Sequence, residues 1–413
     1  MLSLGRNIVL LWQGQLISQL GTHIFNIARV YWLVETLQKG RYVGALLTLC
    51  SLVFTVFAPL GGFAADYYRR KHIVIFSDIV SGLAMFSLAF SMFFVDSIAI
   101  NTGVLFITSA IVSASTAFFT PAVQAAIPNM VATNQLAAAN AAIASSAQIG
   151  QVLGQGLGGT LIAILGIPLM ILVNGISLIL SAITELFIDF KQKRPRQSDP
   201  LQPRSAFAHI VHAIKDGFAS IKASPTVKIL VWYTALDGFL LVPIFVITPY
   251  LASCVYGGGA SFYGYLIGLF SLGTIGGYAI APRLNHHRGL LKLLFFARGL
   301  SMLIIGLLPV FSMGLLAFFL IGCAEAIITV KIHSYIQMIT DNHLLGRVFG
   351  LMNSLSNILV PLSFAIAGWG LDLPGVTVGF QFTAYGIAAF VLATWVLSQG
   401  VFKRKDWREK SAN

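Results

Sequence analysis

Gly61-Gly62-Phe63-Ala64-Ala65-Asp66-Tyr67-Tyr68-Arg69-Arg70-Lys71 closes one long apolar run and leads into the next. A glycine pair ends the first run, an acid follows, and three cations come after it. That order suits a membrane helix that leaves lipid, turns through a very short loop and re-enters. The glycines let two helices approach closely. Asp66 sits among cations that can hold the turn, and the Arg/Lys cluster marks the cytoplasmic side.

The rest of the chain agrees with a membrane setting. It has 413 residues, 57% hydrophobic and 10% charged, with a mean hydropathy of +0.84. A soluble domain is about one-quarter charged, and a chain this apolar would expose very large patches in water. A net charge of +12 could indicate nucleic acid, but its placement argues otherwise. Of 26 Lys and Arg, one falls at the start, three in the quoted loop and eight between Lys191 and Lys228, in a central linker and at its border. Three more fall after the eighth apolar run, one after the tenth and five in the tail. Only Lys39 and Arg41 fall on the opposite side, while Arg29, Arg298 and Lys331 lie within apolar runs. This is the positive-inside pattern, with both termini cytoplasmic. No nucleic-acid partner is expected. Cys50, Cys254 and Cys323 all sit in apolar runs, so neither a disulfide framework nor a metal site is expected. No cofactor motif and no cleavable signal are evident.

A hydrocarbon core of about 30 Å takes roughly 20 apolar residues per helix. Twelve such spans are legible: 8–36, 42–64, 72–95, 99–127, 135–164, 167–189, 226–254, 262–284, 291–310, 313–338, 346–370 and 376–401. The expected fold is all-α, integral to the membrane, with twelve transmembrane helices in two six-helix bundles, 1–190 and 225–402. A linker at 191–224 and a basic tail at 403–413 complete the chain. Within the linker Phe207, Ile210, Val211, Ile214, Phe218 and Ile221 recur at helical spacing, which predicts an amphipathic helix on the cytoplasmic membrane surface. Gly61-Gly62-Phe63-Ala64 returns as Gly276-Gly277-Tyr278-Ala279, and Gln124 with Ile127 is echoed by Gln337 with Ile339. Two halves related by a parallel repeat fit this pattern. The position matching Asp66 is Ala281, so the second loop lacks the acid.

The quoted loop resembles the signature between helices 2 and 3 of the major facilitator superfamily, the twelve-helix secondary transporters. Gly62, Asp66 and Arg70 match its glycine, acid and arginine, while Tyr67 stands where a cation is usual. The resemblance implies alternating access, with Asp66 and Arg70 helping to lock a cytoplasmic gate. Asp78, seven residues into span 3, is expected to be structural and to pair with the Arg70 region. In span 5, Gly150, Gly154, Gly158 and Gly159 resemble the glycine-rich motif of the superfamily's drug exporters, with Gln155 in place of its proline. Small residues four apart allow close packing, whereas the proline would have added a kink. Thr120-Pro121-Ala122, Ile127-Pro128, Ala139-Asn140, Gln15 to Gly21 and Gly346-Arg347-Val348 resemble the macrolide-efflux and enterobactin-exporter branch. That resemblance implies proton antiport, with multidrug resistance or siderophore export as the physiological setting.

Neither a nucleophile–base pair nor a phosphate-cradling loop appears, so an enzyme is not expected. The informative residues are polar groups where lipid would make them costly. In span 1, Gln15, Gln19, Thr22, Asn26 and Arg29 fall within roughly 80° of arc, with His23 at the margin. They are read as the wall of a substrate cavity. Hydrogen-bonding glue between helices is the competing account, and Arg29 could also snorkel to the headgroups. Asp237 and Glu325 fall near the middle of spans 7 and 10, and Thr329 and His333 share the Glu325 face. A carboxylate there is expensive to keep ionised, so Glu325, Asp237 or, in relay, His333 could carry a coupling proton. Neutralisation by Arg298 or Lys331 is the alternative. Glu35 and Glu185 sit close to membrane ends and are assigned no special role.

The expected protein is an inner-membrane, multi-pass transporter of the bacterial type, expected to be a monomer. Its partners would be a small-molecule substrate, a proton gradient and the bilayer. The expected activity is proton-coupled efflux of an amphipathic small molecule, a drug or siderophore. Uptake of a siderophore, nutrient or lysolipid by the same fold is one alternative. A non-transporting receptor or assembly factor is another, disfavoured by the retained Asp66 and Arg70.

Overall fold

The computed structural model describes residues 5–132, 135–190, 225–284, 288–340 and 342–399. The linker with its amphipathic helix, the pair His286-His287 and the basic tail lie outside them. Among the described residues there are twelve long helices and no strand. They are α1 (Arg6–Leu37), α2 (Gly40–Tyr67), α3 (Arg70–Phe94), α4 (Ile98–Met130), α5 (Leu136–Leu165) and α6 (Ile167–Leu186). After the linker come α7 (Pro225–Val255), α8 (Gly259–Ile280), α9 (Arg288–Leu307), α10 (Phe311–Ile339), α11 (Asn342–Leu371) and α12 (Val378–Ser398). Each overlaps one expected span, with ends shifted by a few residues.

Short connections are set by local chemistry. Gly166, at φ +82°, ends α5 and starts α6 by itself, a left-handed conformation that glycine accepts without penalty. Ser97 accepts from Ile100 N before α4, and Thr377 from Phe380 N before α12. In α7 the helix turns at Val242-Pro243, and Pro249 precedes a single π-turn over Leu251–Val255. A proline removes an amide donor, and a wider turn absorbs the resulting mismatch.

Ten of these helices are long and apolar enough to cross a membrane; α1 and α5 are long enough but too polar. The two pack on one another. Gly150, Gly154 and Gly158 of α5 meet Gln19 and Leu20, then Leu20 and His23, then Ile24 of α1, so a Cβ at Gly154 would lie 2.7 Å from that of His23. The glycine motif is thus a close-packed seam beneath the polar helix, and Gly159 turns away from it towards Ala260 and Gly264. Elsewhere the outward surface is apolar, as at Phe94, 73% exposed, and Ile164, 72%. Asp78, Glu185, Asp237 and Arg298 lie inside. This reversal of a soluble protein's distribution is what lipid as solvent requires.

Contacts divide the chain into two compact units. The first is Met1–Gln38, Leu49–Ala208 and Gly259–Gly264; the second is Lys39–Thr48, His209–Gly258 and Tyr265–Asn413. In the first, α1 packs on α5 and α6, and α3 on α4 and α6. In the second, α7 packs on α11 and α12, and α9 on α10 and α12. Adding six to each label of the first set gives the second, so the repeat suggested by sequence extends to helix packing. The two short pieces at the starts of α2 and α8 depart from the expected boundaries. In the second unit Arg41 pairs with Asp372 at 2.6 Å, and Gly40 and Gly44 fit against Gly368.

Candidate functional site

In the first unit a cavity of about 280 Å³ opens among α1, α3, α4 and α5. Its α1 wall is Gln15, Ser18, Gln19 and Thr22, and Ser77, Asp78 and Ser81 face it from α3. Three of the six cavity candidates from sequence therefore meet here. The other three do not line this wall. His23, at the margin of the stripe, is turned onto the glycine seam. Asn26 and Arg29 share the stripe but lie about 6 and 10 Å further along the helix than Thr22. Arg29 does not reach for headgroups: its guanidinium stands 5.4 Å over Phe25, and Nη1 donates to Cys50 Sγ at 3.4 Å. Ser18, absent from the stripe, lies about 20° beyond its edge at 100° per residue, and its Oγ donates to Gln15 O at 3.2 Å.

Asp78 corrects a second expectation. It does not pair with the Arg70 region. Arg70 spends its guanidinium on carbonyls, Nε to Ala65 O at 3.0 Å and Nη1 to Ala125 O at 2.5 Å. Eight residues on, Asp78 is about 12 Å further along α3. It is buried, Oδ2 has no hydrogen-bond partner, and its neighbour is Ser181 of α6. Glu185, one helical turn beyond Ser181 and next to last in α6, is 1% exposed.

Around the quoted loop, α2 runs through Asp66 to Tyr67, and Arg70 starts α3. Arg70 ties the turn to α4, and Lys71 bonds the carbonyls of Leu186 and Ile188. Asp66 is exposed and makes no ion pair among the described residues. Gly61, not Gly62, makes the close approach, with its α-carbon against the Ala117 carbonyl of α4; Gly62 faces open space.

The second unit brings together groups that sequence had left as alternatives. Arg298 of α9 is 3% exposed and grips Asp237 of α7 with both ends of its fork, Nη1 to Oδ2 at 2.8 Å and Nη2 to Oδ1. The same Nη1 reaches Glu325 Oε2 of α10 at 2.5 Å. Tyr233, four residues before Asp237, donates to its Oδ1 at 2.9 Å, and Thr329 donates to Glu325 Oε1 at 3.1 Å. Tyr233 was overlooked, although its spacing of four from Asp237 placed both on one face. Asp237 is the more enclosed, its side chain 7% exposed, whereas that of Glu325 is 21% exposed. A cavity of about 160 Å³ adjoins the cluster, with Asp237, Glu325, Thr329 and His333 in its wall. Lys331 takes no part. It is buried and donates to Leu284 O at 2.7 Å.

A bidentate arginine–carboxylate pair is strong and geometrically specific. With one cation already committed to Asp237, Glu325 is the acid whose charge is least compensated.

The profile of the Major Facilitator Superfamily matches residues 11–364. Macrolide efflux protein A of Streptococcus pyogenes is 24% identical over 381 residues, covering 89% of each chain. Enterobactin exporter EntS of Escherichia coli O81 (strain ED1a) is 26% identical over 360 residues, 81% of this chain and 82% of that one. Among solved structures, nucleoside transporter NupG superposes with a TM-score of 0.74 at 13% identity, covering 97% of this chain and 100% of that one. At that identity the likeness concerns the fold alone.

Proposed function

The chain belongs to the major facilitator superfamily, a family of membrane transporters rather than enzymes, and from that premise we propose that it is a proton-driven exporter of an amphipathic small molecule, a drug or a siderophore. The observation that carries the proposal is the Asp237–Arg298–Glu325 cluster. Two carboxylates and one guanidinium sum to one negative charge. Inside a membrane protein an uncompensated charge is costly, and one proton removes it. Glu325 is the acceptor in this reading because it is the more exposed of the two acids and Asp237 is held by both ends of the arginine fork. Thr329 and His333 then extend a polar path from it. The small-molecule substrate is assigned to the cavity of the first unit, whose α1 wall is uncharged and rich in hydrogen-bonding groups. Two sequence relatives are named as exporters, one of a macrolide and one of enterobactin, which favours efflux. Asp66 and Arg70 are proposed to hold the cytoplasmic gate, with both termini in the cytoplasm.

The test is transport by right-side-out and inverted vesicles under an imposed pH gradient, using erythromycin and ferric-free enterobactin as probes. Accumulation in inverted vesicles that is driven by an acid interior and collapses with a protonophore supports the proposal. Accumulation only in right-side-out vesicles gives uptake, and accumulation indifferent to the protonophore removes proton coupling.

A further inference from the structure

We propose that Asp78 and Glu185, bridged by Ser181, form a second proton-binding site, lying in the first unit and built independently of the Asp237–Arg298–Glu325 cluster. This goes beyond the coupling proton placed in the second unit above.

The site follows from how α3 and α6 close on one another. A Cβ at Gly82 would come 2.8 Å from Ile179 Cδ1, and one at Gly175 would come 2.8 Å from the Phe86 ring. Paired this way the helices run antiparallel, and the same register sets Asp78 opposite Ser181 and Glu185. Ser181 Oγ is 3.5 Å from Glu185 Oε1 and within hydrogen-bonding reach of the Asp78 carboxyl. One serine thus stands beside both carboxyls. Gly14 of α1 lies over them, where a Cβ would be 3.3 Å from Ser181 Oγ.

Among the described residues nothing positive balances the pair. Neither α4 nor α5 contains an ionisable residue, and Glu185 is the only one in α6. On α1, Arg6 is at the exposed start, and His23, Arg29 and Glu35 are eight or more residues beyond Gln15. At the start of α3, Arg70 and Lys71 are bound to carbonyls and His72 is exposed. No ion pair among the described residues involves Asp78 or Glu185. Two adjacent carboxylates in an apolar interior cannot both stay ionised, so at least one holds a proton.

A separate observation marks the place as a binding site. Gln15 is 5% exposed, its Nε2 has no partner, and it shares the cavity wall with Asp78. Asp78 Oδ2 and Glu185 Oε2 are also unpartnered. A buried amide donor beside unpartnered carboxylate oxygens is suited to receive an ionised carboxylate once its proton leaves. Asp78 borders the cavity and is the exchange point, while Glu185 is sealed behind it and serves as the reserve.

Infrared titration of the full chain in lipid nanodiscs reads the C=O stretch of protonated carboxyls directly. In a Glu325→Gln background, where Asp237 remains matched one-to-one by Arg298, a titrating carboxyl band should persist. Asp78→Asn or Glu185→Gln alone should shift its midpoint, and the two together should remove it; a band unchanged by the double substitution overturns the site. Replacing choline with sodium at constant ionic strength should leave the band in place. Its loss in sodium would assign a metal cation instead and overturn the proton. Should those variants fail to fold, Ser181→Ala keeps both acids and should move the midpoint by about one pH unit, the worth of a hydrogen bond to a charged group. An unmoved midpoint overturns the bridge.

Discussion

The two units share a helix-packing scheme but treat buried charge in opposite ways. In the second, two acids from α7 and α10 converge on one arginine of α9, and every group is held by short bonds. In the first, two acids from α3 and α6 face each other with only a serine between them, beside a larger cavity. The turns after α2 and α8 differ similarly. Arg70, on α3, ties down the first through Ala65 O, whereas Lys331, from α10, ties down the second through Leu284 O. A duplicated scaffold thus fixes where helices meet, and a few substitutions decide which side chains stand at each meeting point. Even the glycine pairs show it. Gly61 makes the tight contact in α2 but Gly277, the second of its pair, makes it in α8, against Cys323 and Ala326. One residue of helix is about 100° of rotation, so aligned glycines need not face the same way.

The comparison breaks most sharply at Arg298. Arg298→Met should abolish transport and cost about 3–5 kcal/mol of stability, because it strands two buried acids. Thermal unfolding in detergent, alongside transport, checks this; a wild-type midpoint would mean that the cluster is not held by its arginine. Glu325→Gln comes next. It should lower gradient-driven accumulation at least tenfold while leaving substrate exchange across the membrane intact, measured as counterflow in proteoliposomes. If both Glu325→Gln and Asp237→Asn still accumulate substrate, the coupling proton belongs elsewhere and the contrast between the units fails.

Asp66→Asn should reduce transport several-fold at unchanged abundance, since Asp66 is exposed and not used by the turn, which Arg70 holds without it. Full transport in a well-expressed variant would remove it from the gate. The smallest expected effect is in the cavity: Gln19→Ala should raise KM roughly three- to tenfold, about 1 kcal/mol for one hydrogen bond, with kcat little changed. Asn26→Ala should leave KM as it is. Cysteines at 15, 19 and 22 should react with a water-soluble thiol reagent faster than one at Ile24. Equal reactivity at 19 and 24 would mean that the stripe is not wet.

Twelve helices, the short turns between them and the family were legible in the amino-acid sequence because they depend on local quantities. A run of about 20 apolar residues can only be a helix in lipid, cations mark a side, and glycines at spacing four mark a seam. The polar stripe of α1 was legible for the same reason, since helical period alone puts Gln15, Gln19 and Thr22 on one face. Partnership was not. Asp78 reads as a neighbour of Arg70 along the chain, yet eight residues of helix separate them, and α6 supplies Ser181 and Glu185 from a hundred residues away. Arg298 could have neutralised either midplane acid or neither; only the packing of α7, α9 and α10 brings both to it. Buried charge is settled by what stands opposite in space, which no periodicity within one helix encodes.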